Sequence, residues 1–257
     1  MMDVQAVLQA YDRYERRERV FADMRREDVG PVVRHIHRAE PSSMVLWSRL
    51  DAANADAVIA DQVAFYNGIG HKFEWKLYDY DTPADLRDRL VAHGFAPEDR
   101  EALLALDLQT APAELLAPPK HAVQRITDPE LVPEVLSVQD EVWGWDPELA
   151  RMLAGVMRLI PNDLSVYAVY DGDLPVSSAW IDFTEASPFC GMWGGATLPA
   201  YRGRGIYTAL VAVRAQEAIA RGKRYLTIDA SPMSRPICER QGFQFLTYTQ
   251  PYVHEPK

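Results

Sequence analysis

The pattern of apolar and polar positions predicts alternating helices and strands in the first half of the chain. Val4, Val7, Leu8 and Tyr11 recur at the spacing of one helix face, so a helix opens the chain. Caps, alternation and turn residues predict the elements that follow. They are a strand at 43–50, a helix capped by Asn54 that closes at 68–70, a strand at 73–80, and a helix from Thr82–Pro83 to Gly94–Phe95.

The strand at 73–80 has two different faces. Phe73, Trp75 and Leu77 share one face, which is expected to pack in a core. Glu74, Lys76 and Tyr78 share the other face. That second face is expected to meet the second half of the chain, to form part of an acceptor cleft between the domains, or to lie in solvent.

The second half of the chain predicts one mixed sheet with helices. Asp171–Gly172–Asp173 is a hairpin turn signal between two alternating segments. The predicted order is a strand at 122–126, helical sequence from Pro129 to about Leu159, three antiparallel strands at 164–170, 176–183 and 189–197, a helix at 205–221, a strand at 225–230, a short helix at 234–241, and a last strand from Phe243.

A proline-rich segment at 111–120 predicts the domain boundary. Pro112, Pro118 and Pro119 cannot continue a helix and favour an extended connector. The sequence therefore predicts two domains, at 1–117 and 118–257.

Composition and charge exclude several classes of protein. The 257 residues carry a net charge of −10, which argues against a nucleic-acid partner, and the arginines of 14–19 alternate with glutamates as on a solvated helix face. The sequence shows neither a signal peptide nor an apolar run that spans a bilayer, so a cytoplasmic protein without a membrane partner is expected. Cys190 and Cys238 are expected as free thiols, with a disulfide as the alternative. The histidines, including His35 and His37, predict no metal site.

The segment at 202–207 predicts an anion site. A strand is followed by a glycine-containing turn that opens onto a helix, whose first amides are unsatisfied. Gly203 and Gly205 allow close backbone approach, and Arg202 and Arg204 add positive charge. A plain glycine turn with solvated arginines is the alternative. No P-loop motif is present, and Thr208 stands where a dinucleotide-binding motif needs its third glycine.

Two motifs together resemble the GNAT (Gcn5-related N-acetyltransferase) family. Arg202–Tyr207 is similar to its coenzyme A signature, [Q/R]-x-x-G-x-[G/A], and 231–243 is similar to its second segment, which ends in Gly242–Phe243. The resemblance covers roughly 120–250. It implies a mixed α/β fold with a central mixed sheet flanked by helices, and acetyl-CoA as the acyl donor.

The resemblance also assigns residues to the coenzyme. The strand backbone before the turn would pair with the pantetheine arm, the Leu198 amide would contact the thioester oxygen, and the turn amides would hold the pyrophosphate. The strand that ends at Asp229–Ala230 would splay from its neighbour. The implied coenzyme-binding residues are Ala196, Thr197, Leu198, Arg202, Gly203, Arg204, Gly205, Ile206, Tyr207, Ser231 and Ser234.

The chain departs from the family pattern at four positions. Tyr207 stands at a Gly/Ala position, so its ring must point away from the pyrophosphate or cap the cofactor. Ser231 and Ser234 stand at the asparagine and alanine positions. Cys238 stands where many relatives have a tyrosine that protonates the leaving thiolate, and is either that acid or a buried small residue.

No general base is evident, and Asp182, Glu185 and Asp229 are candidates by proximity to the expected cleft. Trp180 and Trp193 either line an acceptor pocket or lie in the core. The resemblance implies an N-acetyltransferase in which a primary amine, more plausibly of a small molecule than of a protein, attacks acetyl-CoA directly in a ternary complex. A GNAT-fold coenzyme A sensor or scaffold without turnover is the alternative, and acyl transfer to a hydroxyl is a third possibility.

The first half repeats the order strand, helix, Gly–Phe and strand, but no arginine–glycine turn opens the helix at 54. Residues 1–117 are therefore predicted to form a degenerate GNAT-like domain without a coenzyme site, in tandem with a GNAT acetyltransferase domain at 118–257.

Overall fold

A computed structural model describes residues 2–144 and 147–257, and the chain divides into two compact units. Unit 1 consists of Met1–Leu104, Asp229–Arg235 and Phe245–Lys257, and unit 2 of Ala105–Ile228 and Pro236–Gln244. The units are thus interleaved along the sequence. The bounds of the compact units differ from the predicted domain boundary between residues 117 and 118. That boundary concerns family domains and stays a prediction.

The helices and strands follow in chain order. The helices are α1 (Val4–Tyr11), α2 (Ala55–Ile69), α3 (Leu86–Ala92), α4 (Ala113–Leu116), α5 (Val132–Trp143), α6 (Pro147–Leu159), α7 (Ile206–Ala220) and α8 (Arg235–Arg240). The strands are β1 (Met24–Asp28), β2 (Val32–His37), β3 (Ser42–Ser48), β4 (Lys72–Tyr78), β5 (Ala96–Pro97), β6 (Glu101–Asp107), β7 (Gln124–Ile126), β8 (Leu164–Asp171), β9 (Leu174–Phe183), β10 (Phe189–Thr197), β11 (Tyr225–Ala230) and β12 (Gln244–His254).

The sheet of unit 1 has the order β1-β2-β3-β4-β12. Strands β1, β2 and β3 are antiparallel, β3 and β4 are parallel, and β12 returns antiparallel to β4. Phe73, Trp75 and Leu77 of β4 lie in the hydrophobic core of this unit, which confirms the predicted core face of the strand. The last strand of the chain therefore completes a sheet that begins near its first residues.

The sheet of unit 2 repeats this topology, with the order β7-β8-β9-β10-β11. Strands β8, β9 and β10 are antiparallel, and β10 and β11 are parallel. In each unit a helix connects the parallel pair, α2 in unit 1 and α7 in unit 2. The predicted mixed α/β fold with two similar halves is confirmed at the level of strand order.

The helix predicted from Thr82 starts later in the structure. The N-cap of α3 is Asp85, and the hydroxyl of Thr82 donates instead to the carbonyl of Leu50 at 2.6 Å. The prediction that Thr82 caps this helix is wrong, because the Thr82 side chain has a partner in another segment.

The arginine-rich segment after α1 is not a solvated face. Arg16 is only 1% exposed and donates through Nη2 to both carboxylate oxygens of Asp81, at 2.8 and 2.9 Å. Arg19 is also buried and pairs with Glu15 at 2.7 Å. The free-energy cost of burying these cations is offset by charge-assisted hydrogen bonds. The alternation of arginine and glutamate in the sequence does not reveal these partners.

The proline-rich segment is also more ordered than an extended connector. It contains α4, whose Leu115 is buried, and Gln216 of α7 donates to the carbonyls of Leu115 and Ala117 at 2.9 and 2.8 Å. This segment is a packed part of unit 2.

Two further properties bear on function. Cys190 and Cys238 are both buried, and neither forms a disulfide. Among residues 2–144 and 147–257, none of the helices combines the length and the hydrophobicity that a membrane span needs.

Candidate functional site

A β-bulge interrupts β10 at Gly194 and Gly195. The pairing with β9 passes from Trp193–Trp180 to Ala196–Ser178, which leaves the two glycines without partners in the register. Gly194 has a φ of +58°, and a Cβ atom there would lie 1.8 Å from Cζ3 of Trp180. Only glycine fits, so the sequence Gly–Gly fixes the place of the bulge.

Side chains from several elements hold the backbone around the bulge. Gln139 of α5 donates to the carbonyl of Gly194, and Arg214 of α7 donates to the carbonyl of Trp180 at 3.3 Å. Ser177 donates to the carbonyl of Ala196 at 2.6 Å. The carbonyl groups at and beside the bulge therefore have hydrogen-bond partners, which stabilise its conformation.

The parallel pairing of β10 with β11 ends at Gly191–Thr227, although β10 runs on to Thr197. The predicted splay is thus present, and the later part of β10 has an edge without a β11 partner in the register. Such an edge offers amide and carbonyl groups to an extended ligand.

The Leu198 amide does not belong to this edge. It donates to the carbonyl of Val176 in β9 at 3.0 Å, so this amide already has a partner, and its contact with a thioester oxygen stays a prediction. Backbone groups alternate in direction along a strand, which directs the N–H of Thr197 away from β9 instead. We infer that Thr197 supplies the donor on the open edge.

The turn before α7 has the geometry of an anion site. Gly203 and Gly205 have φ values of +74° and +84°, and no atom lies within 4 Å of a Cβ placed at Gly203. No side chain caps α7, and its first backbone hydrogen bond runs from the Ala209 amide to the Gly205 carbonyl. The amides of Ile206, Tyr207 and Thr208 therefore face outward at the positive end of a 15-residue helix.

The side chains of the two arginines of the turn donate hydrogen bonds to nearby backbone carbonyls. Arg202 donates to the carbonyl of Thr197 at 3.0 Å, and Arg204 donates to the carbonyl of Ala200 at 2.8 Å. His121 contacts the Arg204 carbonyl at 2.8 Å through Nε2. Both guanidinium groups stay exposed beside the turn, where they add positive charge to the amide site.

The ring of Tyr207 points away from this turn. A Cβ atom at Gly195 would lie 2.7 Å from Cε2 of Tyr207, so the ring lies against the bulge of β10. Its hydroxyl lies 3.6 Å from Sγ of Cys238, which is fully buried. Burial raises the pKa of Cys238, and the thiol is therefore protonated at neutral pH.

Two of the three candidate bases have hydrogen-bond partners. Asp182 accepts a hydrogen bond from Nε1 of Trp193 at 2.7 Å, and Glu185 is exposed in the turn that precedes β10. Asp229, in unit 1, pairs with Lys76 at 2.6 Å and accepts from Thr249 at 3.2 Å.

The other candidate residues differ in burial and in the unit to which they belong. Trp180 belongs to the core of unit 2, whereas Trp193 is 44% exposed. Ser231 and Ser234 lie in unit 1, where the Ser234 amide donates to Oγ of Ser231 at 3.2 Å. The assignment of both serines to the coenzyme stays a prediction.

Residues 130–243 match the model of a family described as "Acetyltransferase (GNAT) family". This region is a GNAT domain. The match contains the bulge of β10, the turn at 202–205 and Cys238.

Solved structures show the same fold over nearly the whole chain. A GCN5-related N-acetyltransferase from Kribbella flavida is 17% identical, with 99% of this chain and 94% of that chain covered and a TM-score of 0.66. A GCN5-related N-acetyltransferase from Sphaerobacter thermophilus is 13% identical, with 98% and 85% covered and a TM-score of 0.60. A tandem GNAT protein from the clavulanic acid biosynthesis pathway is 13% identical, with 99% and 88% covered and a TM-score of 0.60. No curated protein matches the sequence.

The start of α2 in unit 1 differs from the turn that precedes α7 in unit 2. The carboxylate of Asp51 accepts hydrogen bonds from the amides of Ala53 and Asn54, at 2.8 and 2.9 Å, just before α2. A negative charge at this helix start repels a diphosphate. The predicted lack of a coenzyme site in this half thus has a physical reason, and remains a prediction.

Two features of the GNAT domain also have signals in the sequence. Gly194–Gly195 inside a predicted strand indicates a bulge. Arg214 lies four residues after Leu210 on the apolar face of α7, and is 1% exposed. A charged residue on a buried helix face is uncommon and indicates a special role.

Unit 1 contains a second group of buried charges around the Lys76–Asp229 pair. Burial raises the pKa of Glu74, and it raises the pKa of Glu101 to about 7 against the smaller lowering effect of Lys76. Glu74 belongs to the second face of β4, and Glu101 is the first residue of β6. The strand β6 was not predicted.

Glu101 predicts a pH dependence of stability. Between its ordinary pKa of 4.5 and about 7, folded Glu101 holds a proton that the unfolded chain has lost. This group therefore makes stability fall as pH rises through that window, and its contribution is constant above it. Glu101→Gln is expected to raise the free energy of unfolding relative to wild type progressively from pH 4.5 to about 7, and by a constant amount above that, as measured by urea unfolding. Glu255→Gln, at an exposed position, is the control, and equal pH dependence in all three proteins would contradict the prediction.

Cys238 is expected to be dispensable for chemistry. Its side chain is fully buried and its pKa is raised by burial, so it fits a packing role. Cys238→Ala is expected to retain most of kcat and to lose about 1 kcal/mol of stability through a small cavity. Steady-state kinetics and thermal unfolding check this. A fall in kcat of about a hundredfold with unchanged KM would make the thiol a general acid.

Proposed function

We propose that the protein transfers an acetyl group from acetyl-CoA to a primary amine by direct attack in a ternary complex. One observation carries the proposal: the turn at 202–205 presents free amides, left-handed glycines and two arginines at the start of α7. This arrangement suits a diphosphate. It lies within the region that matches the GNAT family.

The residues present fit acetyl-CoA, which supplies the activated acyl group as a thioester. The turn amides of 205–207 and the guanidinium groups of Arg202 and Arg204 would bind the pyrophosphate. The open edge of β10 at Thr197 would bind the pantetheine arm through backbone hydrogen bonds. The contribution of these groups is to position the thioester and to stabilise charge on its oxygen.

The proposed acceptor is a small-molecule amine. Asp182 accepts a hydrogen bond from Trp193 and Asp229 pairs with Lys76, so each carboxylate already has a partner in the structure. An amine that arrives already deprotonated needs no strong base, which is compatible with direct attack at neutral to alkaline pH. A hydroxyl acceptor needs a base to remove its proton, and the structure favours the amine on this ground.

A second candidate is a coenzyme A sensor or scaffold without turnover. The observation that favours it is the same hydrogen bonding of the candidate bases. This candidate predicts coenzyme binding without release of free thiol.

The test separates the two candidates. Acetyl-CoA is expected to raise the melting temperature, because a ligand that binds only the native state stabilises it by mass action. Titration calorimetry is expected to give one acetyl-CoA per chain. Thiol release with a library of amines and a matched library of alcohols then distinguishes transfer from binding alone. Absence of a thermal shift at millimolar acetyl-CoA would overturn both candidates.

A further inference from the structure

A buried cation in unit 2 has no carboxylate partner. Arg214 of α7 is 1% exposed, and its Nε and Nη1 atoms donate to the carbonyls of Leu210 and Trp180, at 2.9 and 3.3 Å. Its Nη2 atom is buried without a hydrogen bond. Burial lowers the pKa of Arg214, yet a guanidinium keeps its charge at neutral pH. A buried positive charge with an unused donor favours a negative charge nearby.

The hydroxyl of Tyr207 lies beside this cation. Its ring lies against Gly195 at the bulge, and its oxygen lies 3.6 Å from Sγ of Cys238. Burial raises the pKa of Tyr207, and the Arg214 cation lowers it by a smaller amount. The other titratable groups that act on this cluster are Tyr167, which acts on Arg214, and Glu239, which acts on Cys238. Tyr207 is therefore a protonated donor at neutral pH.

The cluster also lies at the open part of β10. Gly195, which the Tyr207 ring contacts, comes after Gly191, where the pairing of β10 with β11 ends. A ligand bound along this edge would pass next to the hydroxyl. Thioester cleavage produces a thiolate, and both a proton donor and a fixed positive charge lower its energy.

We propose that Tyr207 is the proton donor to the departing thiolate and that Arg214 is a positioning residue that stabilises the negative charge. Tyr207 donates its hydroxyl proton to sulfur as the C–S bond breaks. It regains, through solvent, the proton that the amine nitrogen loses when the C–N bond forms. The net products are an amide and a thiol, so atoms and charge balance. This proposal rests on the proposed function.

The decisive measurement is the pKa of the coenzyme A thiol when it is bound, followed by the ultraviolet absorbance of the thiolate. Tyr207→Phe keeps the ring against Gly195 and removes the hydroxyl alone. It is expected to raise the pKa of the bound thiol by about one unit relative to wild type, because a donor to the anion is lost. It is also expected to lower kcat by about a hundredfold while KM for acetyl-CoA stays within about threefold.

Tyr201→Phe is the matched control, because it removes a hydroxyl that bonds to Asp171 at 2.7 Å on the surface of the same unit. It is expected to match wild type in both measurements. If Tyr207→Phe binds coenzyme A and behaves like Tyr201→Phe, the proposal is wrong and the acetyltransferase function stands. If wild type does not bind coenzyme A, the proposed function fails first.

Discussion

Gly205→Val is expected to abolish the stabilisation of the protein by acetyl-CoA. Gly205 has a φ of +84° and directly precedes α7. A β-branched side chain disfavours this conformation, and the turn amides would then no longer converge on one anion. At about a hundred times the wild-type Kd, acetyl-CoA should stabilise wild type by about 2.7 kcal/mol and should give the variant no measurable stabilisation.

The control for backbone strain is Gly222→Val. Gly222 has a φ of +73°, follows the C-terminal end of α7, and has no atom within 4 Å of a Cβ placed on it. Both variants should lose stability, but only Gly205→Val should lose the acetyl-CoA shift in differential scanning fluorimetry. A normal shift in Gly205→Val would mean that the turn does not bind the coenzyme.

Removal of residues 1–117 is expected to leave an unfolded or insoluble chain. Strand β12 pairs with β4 from Tyr78–Thr249 to Phe73–His254, and this pairing is lost in the truncated protein. Gln216 of α7 also loses its two carbonyl partners in the α4 segment. An exposed, unpaired strand with apolar residues promotes aggregation.

Co-expression of the separate 1–117 fragment is the control, since it returns the missing strand in trans. Solubility and a cooperative thermal transition should recover in the mixture. A fragment of residues 118–257 that unfolds cooperatively alone and binds acetyl-CoA would contradict the expectation, and would show that this part folds without β4.

Local features of the site could be predicted from the sequence. The turn at 203–205 follows from two glycines before an apolar helix, because a left-handed conformation and a helix start are both encoded within a few residues. The same holds for the Gly172 turn, which has a φ of +59° between β8 and β9.

Features that join distant segments could not be predicted in this way. One partner of β12 is β4, which precedes it by well over a hundred residues, and alternation along a strand contains no information about its neighbour. The segment Glu101–Asp107 contains leucine and alanine, which also favour helices, and it forms β6 because its side chains are buried in a sheet. The contact of Tyr207 with Cys238 likewise depends on how α7 and α8 pack.

The interleaved composition of unit 1 has a consequence for synthesis on the ribosome. Residues 1–104 emerge first, but their sheet lacks its strand β12 until residues 245–257 have left the exit tunnel. During translation, β4 therefore exposes an unpaired edge while the whole of 105–244 is made. The earliest part of the chain to appear is among the last to complete its fold, so nascent-chain protection by chaperones matters most for the amino-terminal strands.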